Sequence, residues 1–113
     1  MECIFCRIIA GEIPADIVFQ DKDTIAIRDI HPQAPIHILV IPKSHVTSIA
    51  EATSKQKDLL GHLLLAATIV ADKEGISSRG FRLTINYGSE GGQIVPHLHF
   101  HLLGGRKLND SMG

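Results

Sequence analysis

Apolar residues recur along the chain at two different spacings. In CIFCRIIAGEIP, residues 3–14, they are spaced as on one side of a helix, which predicts a short helix that ends at Gly11 and Pro14. The segments DIVFQ and TIAIRDI alternate weakly on either side of a polar DKD, and they predict two strands of a hairpin. The apolar, β-branched segment PIHILVIP, residues 35–42, predicts a central strand.

The longest predicted element is a helix from Ser54 to Glu74. Thr53 and Gln56 form a capping-box pattern at its start, an apolar stripe runs along it, and Gly75 follows its end. FRLTINY and PHLHFHLL predict two more strands, separated by the glycine-rich loop GSEGGQ. This order predicts a single α+β domain over residues 1–113, with an antiparallel sheet and helices on one face.

Composition restricts the classes of function. The 113 residues are 44% hydrophobic, with a mean hydropathy of +0.15 and a net charge of −1 with neutral histidines. A dedicated nucleic-acid or anionic-membrane binder would be clearly basic, so neither partner is expected. The chain has no apolar run of about eighteen residues, and the opening MECIFC lacks the basic region of a signal peptide. We therefore expect a cytoplasmic protein without a membrane span.

Three of the seven histidines lie on alternate positions in VPHLHFHLLGG. On a strand, His97, His99 and His101 would share one face, and the apolar residues between them would face the long helix. An ordinary solvent-facing side would mix Thr, Lys, Glu and Ser rather than repeat histidine. The outer two Cα atoms would be ~13 Å apart, so one metal ion could bind two adjacent rings but would bind all three only with difficulty. The row therefore predicts separate roles at neutral pH, with one nucleophile and neighbouring donors to an anion.

The loop GSEGGQ adds to this hypothesis. Gly88, Gly91 and Gly92 would let backbone N–H groups approach and surround a phosphate. Most glycine-rich loops are simply turns, so the loop is weak evidence by itself. Beside the histidine row, it favours one phosphoryl site.

The motif HLHFHLL resembles the signature of the histidine triad (HIT) superfamily. The resemblance extends over nearly the whole chain, through IPADIVFQD, IRDIHPQAPIHILVIPKSH, GFRLTIN, GGQ and HLLGGR. It is strongest to the histidine triad nucleotide-binding branch, whose members hydrolyse purine nucleoside phosphoramidates. It implies the HIT fold, with a five-stranded antiparallel sheet, a long helix and a short N-terminal helix. It also implies a homodimer with one ten-stranded sheet, and a ligand such as AMP or a nucleoside phosphoramidate.

The same resemblance assigns roles to individual residues. His99 would attack the α-phosphorus and form a nucleotidyl-imidazole intermediate, which water then cleaves. His101 would bind the phosphate oxygens and stabilise the transition state, while His37 and His97 would lie behind His99 and fix its tautomer. Asp29 would accept hydrogen bonds from the ribose hydroxyls, although an aspartate before IHP is more commonly a turn former. The other positions implied to contact the nucleotide are Phe5, Ile8, Ile27, Ile30, Asn86, Gly92, Gln93 and Val95.

The pair CIFC is a second candidate site. In a reducing cytosol, a C-x-x-C pair is more often a metal or redox motif than a disulfide. Many bacterial HIT proteins carry this pair and bind zinc, and that resemblance implies a structural zinc held by Cys3, Cys6, His45 and His97. A Cys₂His₂ set is a closed structural site. The alternative is two free cysteines on a short helix and a surface histidine.

Other functions remain open at this point. Within the superfamily, the chain could be a dinucleoside polyphosphate hydrolase or a nucleotidyl transferase, but His101 and the pair Gly104-Gly105 favour the phosphoramidate branch. It could also be a nucleotide-binding dimer with incidental hydrolysis, or a zinc-dependent structural module without turnover. Ile94 stands where animal members of the family carry a serine that contacts the leaving group, so leaving-group preference is expected to differ. Pro96, before the motif, removes one backbone N–H.

Overall fold

The computed structural model describes residues 3–110, so residues 1–2 and 111–113 of the predicted domain lie outside the described residues. An antiparallel five-stranded sheet has the order β1-β2-β3-β5-β4. The elements are α1 (Ile4–Ile9), β1 (Ile17–Gln20), β2 (Thr24–Arg28), β3 (Ile36–Pro42), α2 (Lys57–Lys73), β4 (Arg82–Ile85) and β5 (Phe100–Gly104). This is the fold implied by the resemblance. Among the described residues, no helix has the length and apolar content needed to cross a bilayer.

The two helices cover opposite faces of the sheet. Ala26, Ile38 and Val40 belong to the apolar cluster around α2, whereas their strand neighbours pack with Phe5 and Ile8 of α1. The prediction of helices on one face was therefore wrong. The central strands are buried on both faces, so their side chains lack the polar alternation that would have indicated a single covered face.

The last strand is shorter than predicted. β5 begins at Phe100, not at the proline four residues earlier. Pro96 has no N–H for the ladder, and the next two amides bond elsewhere, with His97 N donating to Val95 O at 2.8 Å and Leu98 N to Val46 O at 2.6 Å. Only the third histidine of the row is therefore a strand residue. The alternation nevertheless holds, because the apolar residues of the motif are buried in the cluster around α2. They are Leu98, Phe100 and Leu102.

The long helix begins with the predicted cap. Thr53 N donates to Gln56 Oε1 at 2.7 Å, and Thr53 Oγ1 accepts from Lys55 N at 3.2 Å. The first turn, Ser54–Gln56, is a 3₁₀ helix, so the α-helix proper starts at Lys57. The buried stripe of α2 packs against the side of the sheet opposite to the histidines. The residues of that stripe are Leu63, Ala66, Ala67, Val70 and Ala71.

Candidate active site

Two neighbouring strands and the segment leading into one of them bring three histidines together. β3 and β5 pair with Leu39 opposite His101, and His37 lies two residues earlier on β3. The ring centroid of His101 lies 5.2 Å from that of His37 and 5.1 Å from that of His99. Asp29, just after β2, places its Oδ2 3.4 Å from His37 Nε2. The site is thus a cluster of three imidazoles and one carboxylate.

The hydrogen bonding of His99 fixes its tautomer. Its Nδ1 lies 2.7 Å from the backbone oxygen of His97. A carbonyl oxygen can only accept, so Nδ1 carries the proton and Nε2 keeps an unprotonated lone pair. The ring of Phe5 stands edge-on to His99, with centroids 5.1 Å apart. Nε2 is therefore the atom of His99 that can act as a nucleophile.

A second set of hydrogen bonds gives His101 the opposite character. The backbone N–H of Gln33 donates to His37 Nδ1 at 3.0 Å, so the proton of neutral His37 lies on Nε2. That Nε2 is 2.9 Å from His101 Nδ1, which must therefore accept. The proton of His101 is left on its Nε2. The site thus holds one imidazole with a bare Nε2 and one with a donating Nε2.

Burial keeps these rings neutral. It lowers the pKa of His99, against the opposing effects of the bond to the His97 carbonyl and of the Asp29 charge. Burial, together with the neighbouring His99 and His37, lowers the pKa of His101 to about 4. The pKa of His37 is lowered for the same principal reason, burial. At neutral pH the tautomers described above are therefore the ones present.

The side chain of His97 lies elsewhere than expected. The resemblance places both His37 and His97 behind His99, but His37 contacts His101 instead. The His97 ring is fully buried, with Nε2 2.9 Å from Pro42 O and Nδ1 3.2 Å from Cys3 Sγ. The hydrogen bond between His97 and His99 has the His97 backbone oxygen as its acceptor, because residues 97–99 precede β5 and the first ring packs against the thiols instead.

The glycine-rich loop closes on itself. Gly88 N donates to Gln93 Oε1 at 3.3 Å, and Gly92 N to Ser89 O at 3.2 Å. The Gln93 amide also donates to Thr47 O at 2.9 Å. The expected phosphate cradle is therefore not formed by Gly88 and Gly92, whose N–H groups are used inside the loop. Gln93 instead fastens the loop to the segment after β3.

The other residues implied for the nucleotide differ in burial. Phe5, Ile8 and Ile27 are buried in the cluster beneath α1, and Val95 packs against it. Ile30 is 85% exposed beside Asp29, whose Oδ1 accepts from His31 N at 2.8 Å as in a turn-forming aspartate. The remaining position, just after β4, is half-buried Asn86.

A cluster of two thiols and two imidazoles lies behind the nucleophile. Cys3 Sγ is 3.2 Å from His97 Nδ1, and Cys6 Sγ is 3.3 Å from His45 Nδ1 and 3.6 Å from His97 Nδ1. All four donor atoms lie within 4.8 Å of one another. Because His97 donates from Nε2 to a carbonyl, its Nδ1 lone pair points at the thiols.

These distances fit a metal ion. Tetrahedral zinc, with bonds of about 2.3 Å to sulfur and 2.0–2.1 Å to nitrogen, separates sulfur and nitrogen ligands by about 3.6 Å. The observed separations of 3.2–3.6 Å are close to that value. The cluster can therefore hold a metal ion.

Two groups that shape the site had no role in the sequence analysis. They are the backbone N–H of Gln33 and the backbone oxygen of Pro42, which fix the tautomers of His37 and His97. The prolines of HPQAP and VIP mark these segments as turns and strand ends, but no residue pattern indicates which backbone group meets a ring.

Comparison with known proteins agrees with this fold. The model of the HIT domain family matches residues 10–108. A HIT-like protein of Synechococcus elongatus is 54% identical over 107 residues, covering 95% of this chain and 93% of that protein. The purine nucleoside phosphoramidase of Escherichia coli K12 is 47% identical, covering 95% and 90%. The crystal structure of a HIT family hydrolase from Legionella pneumophila superposes with a TM-score of 0.97 at 48% identity, covering 99% of this chain and 100% of that one. With the triad, the sheet order and these matches in agreement, the chain belongs to the HIT family.

Proposed function

We propose that this protein hydrolyses purine nucleoside 5′-phosphoramidates, such as those of adenosine, through a nucleotidyl intermediate on His99. The observation that carries the proposal is the bond from His99 Nδ1 to the His97 carbonyl, which leaves Nε2 as a neutral nucleophile. The donating Nε2 of His101 supplies the complementary group. The similarity to the phosphoramidase of E. coli supports the substrate class.

The reaction has two displacements at phosphorus. His99 Nε2 attacks the α-phosphorus, the P–N bond breaks, and the amine departs after taking a proton from solvent. The positive charge that develops on the imidazole is stabilised through Nδ1–H by the His97 carbonyl. Water then attacks phosphorus, and the nucleoside monophosphate leaves with His99 restored. His101 donates to a phosphoryl oxygen in both steps, where negative charge increases.

The nucleotide is proposed to lie across the mouth of the site. The half-buried carboxylate of Asp29 suits the two ribose hydroxyls, and the exposed side chain of Ile30 offers an apolar surface to a purine. Phe5 is proposed to border the base while it holds the His99 ring. The further proposed contacts are Ile8, Ile27, Asn86, Gln93, Val95 and Gly92, the last through atoms other than its N–H, which is used inside the loop.

The substrate class can be tested by a direct comparison. We expect fast release of amine from a fluorogenic adenosine 5′-phosphoramidate and much slower cleavage of diadenosine tetraphosphate by the same preparation. Preference for the dinucleotide would move the protein to the polyphosphate hydrolases. Transfer of the nucleotidyl group to a second phosphate would indicate a transferase, and binding of AMP without turnover of any substrate would leave only a nucleotide-binding role.

We also propose that the resident metal is a structural zinc. Cys3, Cys6, His45 and His97 would hold it, and when bound it would supply a cross-link rather than a reacting group. The chain's own residues then tie α1, the segment after β3 and the start of the triad together. A cytoplasmic location belongs to the same proposal, because thiol ligands persist where cysteines stay reduced.

A homodimer is the proposed assembly. The outer face of α2 exposes Leu64, Leu65 and Ile69, and 66% of Leu65 is accessible. Strand β4 has one free edge because it is the last strand of the sheet, and the exposed Phe81 directly precedes it. An exposed apolar helix face and an open strand edge each suit a second copy, whose β4 would extend the sheet to ten strands.

Sedimentation equilibrium tests this assembly. We expect twice the chain mass of 12.3 kDa for the wild type. A shift toward the monomer is expected for Leu65→Asp, because the charge would be buried without a partner. The matched control is Ile17→Asp, an exposed isoleucine on the opposite edge strand β1, which should remain dimeric. A monomeric wild type would contradict the proposal.

A further inference from the structure

Arg106 links the turn after β5 to the loop between β2 and β3. Its Nη2 donates to the backbone oxygen of Gln33 at 3.0 Å, and its Nη1 to the oxygen of Lys107 at 3.0 Å. Gly105 makes the approach possible, because its φ is +91° and a Cβ there would lie 2.9 Å from the Cβ of Pro35. Gly105 thus lets this turn approach the loop closely enough for the guanidinium to bond to it.

The residue that Arg106 holds is the one that sets the tautomer of His37. Gln33 offers its oxygen to the guanidinium and its N–H to His37 Nδ1, each at 3.0 Å. His37 in turn contacts His101 Nδ1 at 2.9 Å. Four residues therefore form one chain of contacts from the protein surface to the proposed phosphate donor.

This chain of contacts matters because neutral His37 can carry its proton on either ring nitrogen. If Gln33 N–H moved away, His37 could carry its proton on Nδ1, and its bare Nε2 would face His101. His101 would then need its proton on Nδ1 and would lose the donor on Nε2. Asp29 Oδ2, 3.4 Å from His37 Nε2, favours the productive form but is longer than a good hydrogen bond.

We propose that Arg106 is a positioning residue, which holds the Gln33 backbone so that the proton of His101 lies on Nε2, toward the substrate. The inference rests on the proposed phosphoryl-transfer function, and it adds a residue outside the histidine cluster to that function. Arg106 is exposed, so its hydrogen bonds are partly replaced by water when it is removed. A moderate effect on rate is expected, through the two displacements in which His101 stabilises charge.

The test compares Arg106→Ala with Arg79→Ala and Arg106→Lys. Arg79 borders the same surface cavity as Arg106 and carries the same charge, but among residues 3–110 it makes no hydrogen bond to the β2–β3 loop. Long-range ¹⁵N–¹H spectra of the nucleotide-free protein report the tautomers of His37 and His101 directly. In Arg106→Ala we expect a mixture of tautomers and a fall in kcat of about five- to tenfold, with KM changed less than about twofold. Arg79→Ala should match the wild type, and Arg106→Lys should lie between.

Unchanged tautomers in Arg106→Ala would overturn the proposal. An equal loss of kcat in Arg79→Ala would also overturn it, because the effect would then come from surface charge alone. The spectra need no substrate, so they separate this inference from the proposed function. A tautomer change in a protein that cleaves no phosphoramidate would refute the function and keep the positioning role.

Discussion

His99→Ala should lose turnover of an adenosine phosphoramidate by at least about 10⁴-fold, because it removes the atom that forms the intermediate. The remaining groups could still bind the nucleotide and donate to phosphate, so affinity for AMP should change far less than kcat. This contrast separates a nucleophile from a binding residue. The fold should persist, since His99 is only part-buried and its side-chain hydrogen bond is to a nearby backbone oxygen.

Mass spectrometry of the intact protein checks the same prediction. Mixed with substrate and quenched quickly, the wild type should gain the mass of one nucleotidyl group, and His99→Ala should gain none. His62→Ala is a suitable control, because it removes an imidazole that bonds to Asp21 on another part of the molecule. Full activity in His99→Ala would contradict the proposed mechanism for any substrate.

Removing both thiols is expected to have the largest effect on stability. The wild type should bind about one zinc ion per chain, and the variant Cys3→Ser/Cys6→Ser should bind none, because a hydroxyl is a poor zinc ligand. A ligand present at 100–1,000 times its Kd stabilises the folded state by about 3–4 kcal/mol. For a domain of this size, we expect Tm to fall by on the order of 10 °C.

Serine is the informative replacement at position 3. Cys3 is the N-cap of α1, and its Sγ accepts from Cys6 N at 3.4 Å. Serine is a favoured N-cap, so the helix keeps its cap while the metal ligand is lost. Activity should fall with stability, because α1 carries Phe5 against His99. Wild type stripped with a chelator should behave like the double variant, and a metal-free chain of undiminished Tm would contradict the zinc proposal.

Much of the fold could be predicted from the sequence, because local patterns encode it. Thr53 and Gln56 predicted the start of the long helix. The apolar residues that alternate with the triad histidines predicted which side of that segment packs against the helix. The start of β5 was missed because a strand pattern records side-chain polarity, not hydrogen bonding. The amides of His97 and Leu98 bond outside the ladder, and nothing in their side chains indicates this.

The residues that meet at the candidate site were predictable in part, but their connections were not. The pattern identified His99 and His101, and the resemblance added Asp29 and His37; the structure brings these four together. Their tautomers, however, depend on backbone atoms such as the N–H of Gln33. Every residue offers a carbonyl and almost every residue an N–H, so only the folded geometry can say which of them meets a ring.

The main chain of His97 serves the nucleophile while its side chain belongs to the thiol cluster. Any amino acid at this position would present the same carbonyl to His99. A substitution at position 97 should therefore act directly on the thiol cluster and reach the nucleophile only through packing against Phe5. One residue thus serves two neighbouring sites through separate parts, so a side-chain replacement that keeps the shape of the ring can test the thiol cluster while the main chain goes on orienting His99.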